Sequence, residues 1–216
     1  MSKQFVVIGC GRFGQSVAIK LAEMGSEVMV VDDNEEIIQS ISDKVTYAVQ
    51  ADATDENAIK ALGIRNFDVA IVTIGSDIQS SILVTLLVKE MGIKHIVAKA
   101  QNAAHAKVLY KIGANRVVFP EKEMGIKVAK GLLSSNVLEL IDLAPEYSIL
   151  EIRMSDQWIG KSLVEINMRR EYSLSVIAIR RGDDIDINVE PDRVLLKDDI
   201  LVVIGHNKDL QRLEKR

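Results

Sequence analysis

The segment Gln4–Gly25 constrains the fold more than any other stretch. Phe5-Val-Val-Ile8 is continuously apolar and partly β-branched, as in a strand covered on both faces. Val17, Ala18, Leu21 and Ala22 then recur at helical spacing, and Gly25 is placed to stop that helix. Between them lies Gly9-Cys-Gly-Arg-Phe-Gly14, a GxGxxG spacing. Gly9 permits the tight turn out of the strand. Gly11 lacks a Cβ and leaves the backbone open to a phosphate, and Gly14 lets the helix lie close to the sheet. The free N–H groups of the helix start then face the anion. Alone, the spacing is a weak signal. Its setting strengthens it, because Glu27-Val-Met-Val-Val-Asp-Asp33 follows as a second strand ending in acid. Asp32 stands where a carboxylate accepts hydrogen bonds from ribose hydroxyls. An α/β turn without a ligand is the plainer alternative.

Strand and helix signals keep alternating, which predicts a parallel sheet with helices on both faces. Asp33 and Glu36 have capping-box spacing for a helix through Ile37, Ile38 and Ile41. Thr46–Ala51 reads as a third strand closed by Asp52-Ala-Thr54. Thr54 is a candidate cap for a helix carrying Ala58, Ile59 and Leu62. Val69–Ile74 is a fourth strand, and Gly75-Ser-Asp77 opens a long helix to Met91-Gly92. His95–Ala98, a helix over Ala103–Ile112, and Arg116–Phe119 complete a doubly wound domain with expected strand order 3-2-1-4-5-6.

Pro120 punctuates, and Glu121–Leu133 reads as a connecting helix with Met124, Val128 and Leu132 on its apolar side, Ile126 or Leu133 being open additions to it. After a break at Ser134-Ser-Asn136 the grammar changes. Tyr147–Met154, Leu174–Ile179, Asp186–Val189 and Ile200–Ile204 read as strands with short connections, hence mostly antiparallel. Ser162 caps a short helix through Ile166 and Met168, and Asp209–Arg216 is a terminal helix. The expected organisation is a Rossmann-like nucleotide-binding domain over residues 1–120, a connector helix over 121–137, and a small α+β C-terminal domain over 138–216. The helix around Ile82, Leu83, Leu86 and Leu87 has almost no polar face. Cover by a neighbouring helix and cover by another subunit both remain open for it.

A length of 216 residues, 48% hydrophobic and 27% charged, fits a soluble globular protein. The net charge of -4, with no basic run interleaved with aromatics, argues against a nucleic-acid partner. Cys10 is the single cysteine, so there is neither an internal disulfide nor a cysteine zinc site, and it reads as a small turn filler. No segment reads as a signal peptide, and no apolar run is long enough to cross a bilayer. A cytoplasmic location is expected.

Several side chains stand at the carboxyl edge of the expected sheet, where such folds bind ligands. Arg12, in a first helical turn, sits at the wrong end of the dipole unless an anion joins it. Asp32 repels a 2′-phosphate and so disfavours NADP; Asn34 reaches the ribose edge. Ile74 and Gly75 end the fourth strand, and Lys99 ends the fifth, where it meets phosphate or snorkels as a surface lysine. Glu121 follows Pro120 and satisfies a helix dipole by itself. An NAD-dependent oxidoreductase is the rival class. His95, His105 and His206 are the only histidines; His105 is placed to approach the nucleotide edge, and no Tyr-x-x-x-Lys pair is present. A non-enzymatic sensor is therefore expected.

The run Val7–Gly14, Ala51-Asp-Ala-Thr54, Gly63–Asp68, Ala98-Lys-Ala-Gln101, Lys111–Ala114, Phe119–Gly125 and Asn136-Val-Leu138, in this order, resembles the bacterial RCK (regulator of potassium conductance) family. That family is also described as the TrkA N-terminal plus C-terminal domain pair, and the resemblance is to its KtrA-like branch and spans essentially the whole chain. It implies a cytosolic gating-ring subunit, octameric, peripheral to the membrane beneath a separate KtrB-like potassium-transporting subunit. It implies ATP/ADP or NAD(H) held by Gly9, Gly11, Arg12, Phe13, Gly14, Asp32, Asn34, Asp52, Ala53, Thr54, Ile74, Gly75 and Lys99. Asp52, Ala53 and Thr54 would meet adenine, Arg12 would also reach a neighbouring subunit's nucleotide, and Glu121 would ligate Mg²⁺ or Ca²⁺. In the C-terminal domain, cyclic di-AMP would lie between two subunits against Leu163, Val164, Ile166, Arg169, Ser175 and Pro191. Ser175 departs from the pattern, where asparagine is frequent, and Arg170 adds a charge beside Arg169. Serine offers fewer donors, so base recognition is expected to weaken.

Overall fold

The computed structural model describes residues 3–75, 77–133 and 137–214. The chain divides into two compact units at Lys122/Glu123.

The first unit is a six-stranded parallel sheet in the order β3-β2-β1-β4-β5-β6, as expected. Its strands are β1 (Gln4–Ile8), β2 (Glu27–Asp32), β3 (Tyr47–Gln50), β4 (Val69–Val72), β5 (His95–Lys99) and β6 (Arg116–Val118). The helices between them are α1 (Arg12–Glu23), α2 (Glu35–Ile41), α3 (Glu56–Ala61), α4 (Ile78–Glu90) and α5 (Ala103–Lys111). Alternate residues of the central strands feed two cores. Val6, Ile8, Ala70 and Val72 pack with Val84, Val88 and Leu109 on one face. Val7, Val30 and Ile71 pack with Ala18, Ile38 and Ile41 on the other. Burial on both faces is why these strands are apolar runs rather than alternating ones. The reversal of winding on either side of β1 opens a crevice beyond the carboxyl ends of β1 and β4.

Helix starts depart from the sequence reading in two places. Asn34, not Asp33, caps α2; its Oδ1 accepts from the N–H groups of Glu36 at 2.9 Å and Ile37 at 3.3 Å. Asp55, not Thr54, caps α3 by accepting from Asn57 N–H at 2.8 Å. In each case the residue one step nearer the helix has the extended backbone a cap needs. Asp77 caps α4. On α4, Val84, Leu87 and Val88 are buried, whereas Leu83 is 40% and Leu86 37% exposed.

Helix α6 (Pro120–Leu133) begins in the first unit and runs into the second. Met124, Ile126, Val128 and Leu132 are exposed along it. The expected break at Ser134–Asn136 lies outside the described residues. The second unit is an antiparallel sheet in the order β10-β9-β11-β8-β7. Its elements are β7 (Val137–Ala144), β8 (Tyr147–Arg153), α7 (Leu163–Ile166), α8 (Met168–Tyr172), β9 (Ser175–Arg181), β10 (Asp184–Asp186), β11 (Asp199–His206) and α9 (Asn207–Glu214). Strand β7 is not among the sequence expectations. The last strand but one lies earlier than expected: Asp186 Oδ1 accepts Asn188 N–H at 2.9 Å, a local turn that ends β10 and leaves Asn188 and Val189 outside it. Asn167, left-handed at φ 50, divides the expected single helix after Ser162 into α7 and α8. The core here gathers Leu150, Ile152, Trp158, Met168, Leu174, Leu201, Val203, Leu210 and Leu213.

Candidate functional site

The glycine turn takes its shape from three different glycine roles. Gly9 has φ +85, and a Cβ there would come within 3.0 Å of Ile74. A Cβ on Gly14 would overlap the Gly9 carbonyl oxygen and Thr73 Oγ1, so α1 lies directly against the turn. Thr73 Oγ1 donates to that same Gly9 carbonyl. Gly11 is the reverse case: nothing lies within 4 Å of where its Cβ would be. It opens α1 without a side-chain cap and with no acid in the first turn. The helix thus presents free N–H groups and exposed Arg12 to open space, the arrangement an anion would complete.

Asp32 holds the turn from the second strand. Its Oδ2 accepts Cys10 N–H at 2.5 Å and its Oδ1 accepts Asn34 N–H at 3.0 Å. Cys10 is fully buried, and burial followed by the Asp32 charge pushes its thiol up to about 11. It is a packed turn residue and a poor nucleophile. At the end of β3, Asp52 Oδ1 accepts both Thr54 N–H at 2.8 Å and Thr54 Oγ1–H at 2.6 Å. Those bonds hold the Asp52 carboxyl below its ordinary range. Thr54 therefore orients Asp52 rather than capping α3. On the far side, Lys99 Nζ donates to Glu121 Oε1 at 2.5 Å. This bond, then the Glu121 backbone N–H, hold the Glu121 carboxyl below its ordinary range, and the Arg12 charge adds to the effect. Gln101 Nε2 donates to the Gly75 carbonyl and fixes the loop beside Lys99.

These groups line one open cleft of about 640 Å³. It brings together Gly9, Gly11, Arg12, Phe13, Asp32, Asn34, Asp52, Ala53, Thr54, Ile74, Gly75, Lys99 and Glu121. Gly14 is not in the lining; it acts one layer back, as packing. The cleft also takes in Asp33, Thr73, Asp77 and Ser80, which sequence reasoning did not single out as site residues. Their signal was available for Asp77, the cap of a helix that follows a strand end at the same sheet edge. His105 does not reach the cleft. It is buried under α5 with Nε2 unpartnered among the described residues, because its ring turns inward from the helix.

The donor set suits a phosphorylated ligand: an open helix N-terminus with Arg12 and Lys99 beside it, and the carboxylates of Asp32 and Asp52 in the same cleft. It does not by itself build a metal centre. Among the described residues no group of three or more His, Cys, Asp or Glu side chains could hold an ion, and one carboxylate is an incomplete site for a hard cation.

In the second unit, Arg169 Nε donates to Ser175 Oγ at 3.3 Å. Val164 is 62% exposed, and its N–H donates to the Pro191 carbonyl at 2.9 Å, which joins α7 to the loop before β11. Leu163 is half-buried against the core. Ile166 is only 6% exposed, so it supports this surface from beneath.

Together the fold and cleft define a doubly wound α/β protein with a nucleotide-type crevice, joined to an antiparallel α+β unit. The TrkA-N domain family matches residues 5–120 and the TrkA-C domain family residues 148–216. The chain is 47% identical over 213 residues to Ktr system potassium uptake protein A of Bacillus subtilis (strain 168), covering 99% of this chain and 96% of that one. Among solved structures, the GsuK RCK domain aligns with TM-score 0.68 at 20% identity, over 100% of this chain and 47% of that one. A GsuK channel bound to NAD aligns with TM-score 0.68 at 19% identity, over 99% of this chain and 39% of that one. The chain belongs to the TrkA-N/TrkA-C (RCK) family of potassium-transport regulators, in its KtrA-like branch.

Proposed function

We propose that this chain is the cytosolic regulatory subunit of a potassium transporter, switched by ATP or ADP in the first unit, with NAD(H) as the other fitting ligand. The carrying observation is the single cleft that joins the open Gly11 seat, Arg12 and Lys99 to Asp32 and Asp52. Phosphates would lie on the α1 N-terminus, ribose at Asp32, and adenine toward Asp52. The response would be a change in the packing of subunits in a ring, octameric by resemblance, that gates a separate KtrB-like membrane subunit. Leu83 and Leu86 on α4, and separately Ile126 and Val128 on α6, are exposed apolar side chains that such an assembly would cover. No helix among the described residues is long and apolar enough to cross a membrane. Cyclic di-AMP would bind the second unit, with Arg169 on a phosphodiester and Val164 against a purine. No step in this reading runs through a metal.

Light scattering on the purified protein, with and without ATP, tests the reading. Assembly that changes with ATP, and that Leu83→Glu weakens, is the expected result. A strict monomer in both conditions sinks the ring. Sustained oxidation of NADH with small ketones would replace the regulator by an oxidoreductase.

A further inference from the structure

Two cations face the anion seat, and a carboxylate of the chain itself already engages one of them. Lys99 is held close: its side chain is 15% exposed, and its Nζ lies 3.0 Å from where a Gly75 Cβ would be. Glu121, 70% exposed at the start of α6, reaches in to it at 2.5 Å. The Arg12 charge also acts on this carboxylate. Glu121 thus stands among the groups that a ligand phosphate would use, in the cleft that Gly11 leaves open. Lysine and a carboxylate oxygen form the same charge-assisted bond that lysine forms with a phosphate oxygen. The two acceptors are both anionic, and crowding them around one ammonium adds repulsion.

We propose that Glu121 is a tethered competitor for the anion seat: its carboxylate occupies Lys99 until a ligand phosphate displaces it, and this exchange sets how tightly phosphorylated nucleotides bind. The inference rests on the nucleotide reading of the cleft. It gives Glu121 a role that needs no metal. The affinity at stake is modest, because an ion pair with one exposed partner contributes a factor of about five at most.

Calorimetry with ADP in EDTA tests it, on the full chain and its Glu121→Gln, Lys99→Gln and doubly substituted forms. Glu121→Gln is expected to tighten ADP about fivefold, and Lys99→Gln to weaken it. On the Lys99→Gln background, removal of Glu121 should give a smaller gain, since only Arg12 remains to be freed. Unchanged or weaker ADP binding by Glu121→Gln in EDTA overturns the proposal while leaving the nucleotide site intact. Gly11→Val provides the separate control. If wild type fails to bind ADP, or binds it equally well with Val at position 11, the nucleotide reading falls and this inference falls with it.

Discussion

Asp32 Oδ2 accepts the backbone N–H of Cys10 at 2.5 Å, so the second strand grips the glycine turn of the first. The same carboxylate accepts Asn34 N–H through its other oxygen. One side chain therefore shapes the turn, fixes the start of α2 and faces the proposed ribose position. Asp32→Ala strands the part-buried Cys10 N–H and leaves the exposed Asn34 N–H to water. It is expected to lower stability by about 2 kcal/mol and ADP affinity by about tenfold or more. Asp32→Asn keeps one acceptor oxygen and should fall between. Urea denaturation and calorimetry measure the two effects; an ADP affinity unchanged by Asp32→Ala would remove Asp32 from the ribose position.

Gly11 and Gly14 separate binding from folding. Gly11 has φ -67, which any residue adopts, and open space where a Cβ would go. Gly11→Ala should leave thermal stability nearly unchanged while obstructing a phosphate. Gly14→Ala drives a methyl into the Gly9 carbonyl and Thr73 Oγ1. Overpacking of this kind costs about 1–3 kcal/mol. Thermal melts beside ADP titrations distinguish them: the first variant should lose affinity with its melting point kept, the second should lose its melting point.

The first unit was legible because its signals are local and repeat. Apolar runs such as Val69–Val72, punctuated by glycine and asparagine, imply buried parallel strands, and the GxGxxG turn then orders them. What escaped was set by strand pairing and backbone geometry that residue type alone does not carry. Strand β7 forms by pairing with β8 around the Glu146 turn, and the segment Val137–Ala144 mixes acids with leucines without a clear period. The choice of Asn34 over Asp33 as a cap depends on one residue's backbone, which composition does not reveal. The Lys99–Glu121 pair joins residues 22 positions apart that only the β5–β6 register brings together. Ile166, which the resemblance places beside a purine, packs in the core of the second unit at 6% exposure, a burial that its residue type does not reveal.

His105 makes the first unit sensitive to mild acid. Burial lowers its pKa below the ordinary histidine value, and Nε2 has no acceptor among the described residues. A proton is then bound more readily by the unfolded chain. Stability therefore begins to fall as pH drops through the unfolded value, about 6.5, and continues to fall until the lower folded value is passed. The slope attributable to one such group is at most about 1.4 kcal/mol per pH unit. His105→Leu removes both the titration and the unpartnered nitrogen. Urea midpoints between pH 7.5 and about pH 5, a range chosen above the ordinary carboxylate values, should fall for wild type and stay flatter for His105→Leu. Parallel curves would show that another group carries the acid response.

Arg169 and Ser175 provide the sharpest question about the second unit. Their side chains meet at 3.3 Å, and both lie on the surface formed by α8 and the start of β9. If cyclic di-AMP binds here, Arg169 supplies the charge for a phosphodiester, and Ser175 holds the guanidinium instead of reading a base. Arg169→Ala should then abolish most of the binding, a loss of about tenfold or more, while the melting point hardly moves because the side chain is exposed. Ser175→Asn adds an amide with both donor and acceptor, and should tighten the ligand if that position faces a purine. Calorimetry with cyclic di-AMP on the three proteins decides the matter. Binding that survives Arg169→Ala undiminished places the ligand elsewhere. Loss with Arg169→Ala but no gain with Ser175→Asn assigns the arginine to the phosphodiester and leaves base recognition to Val164 and its neighbours.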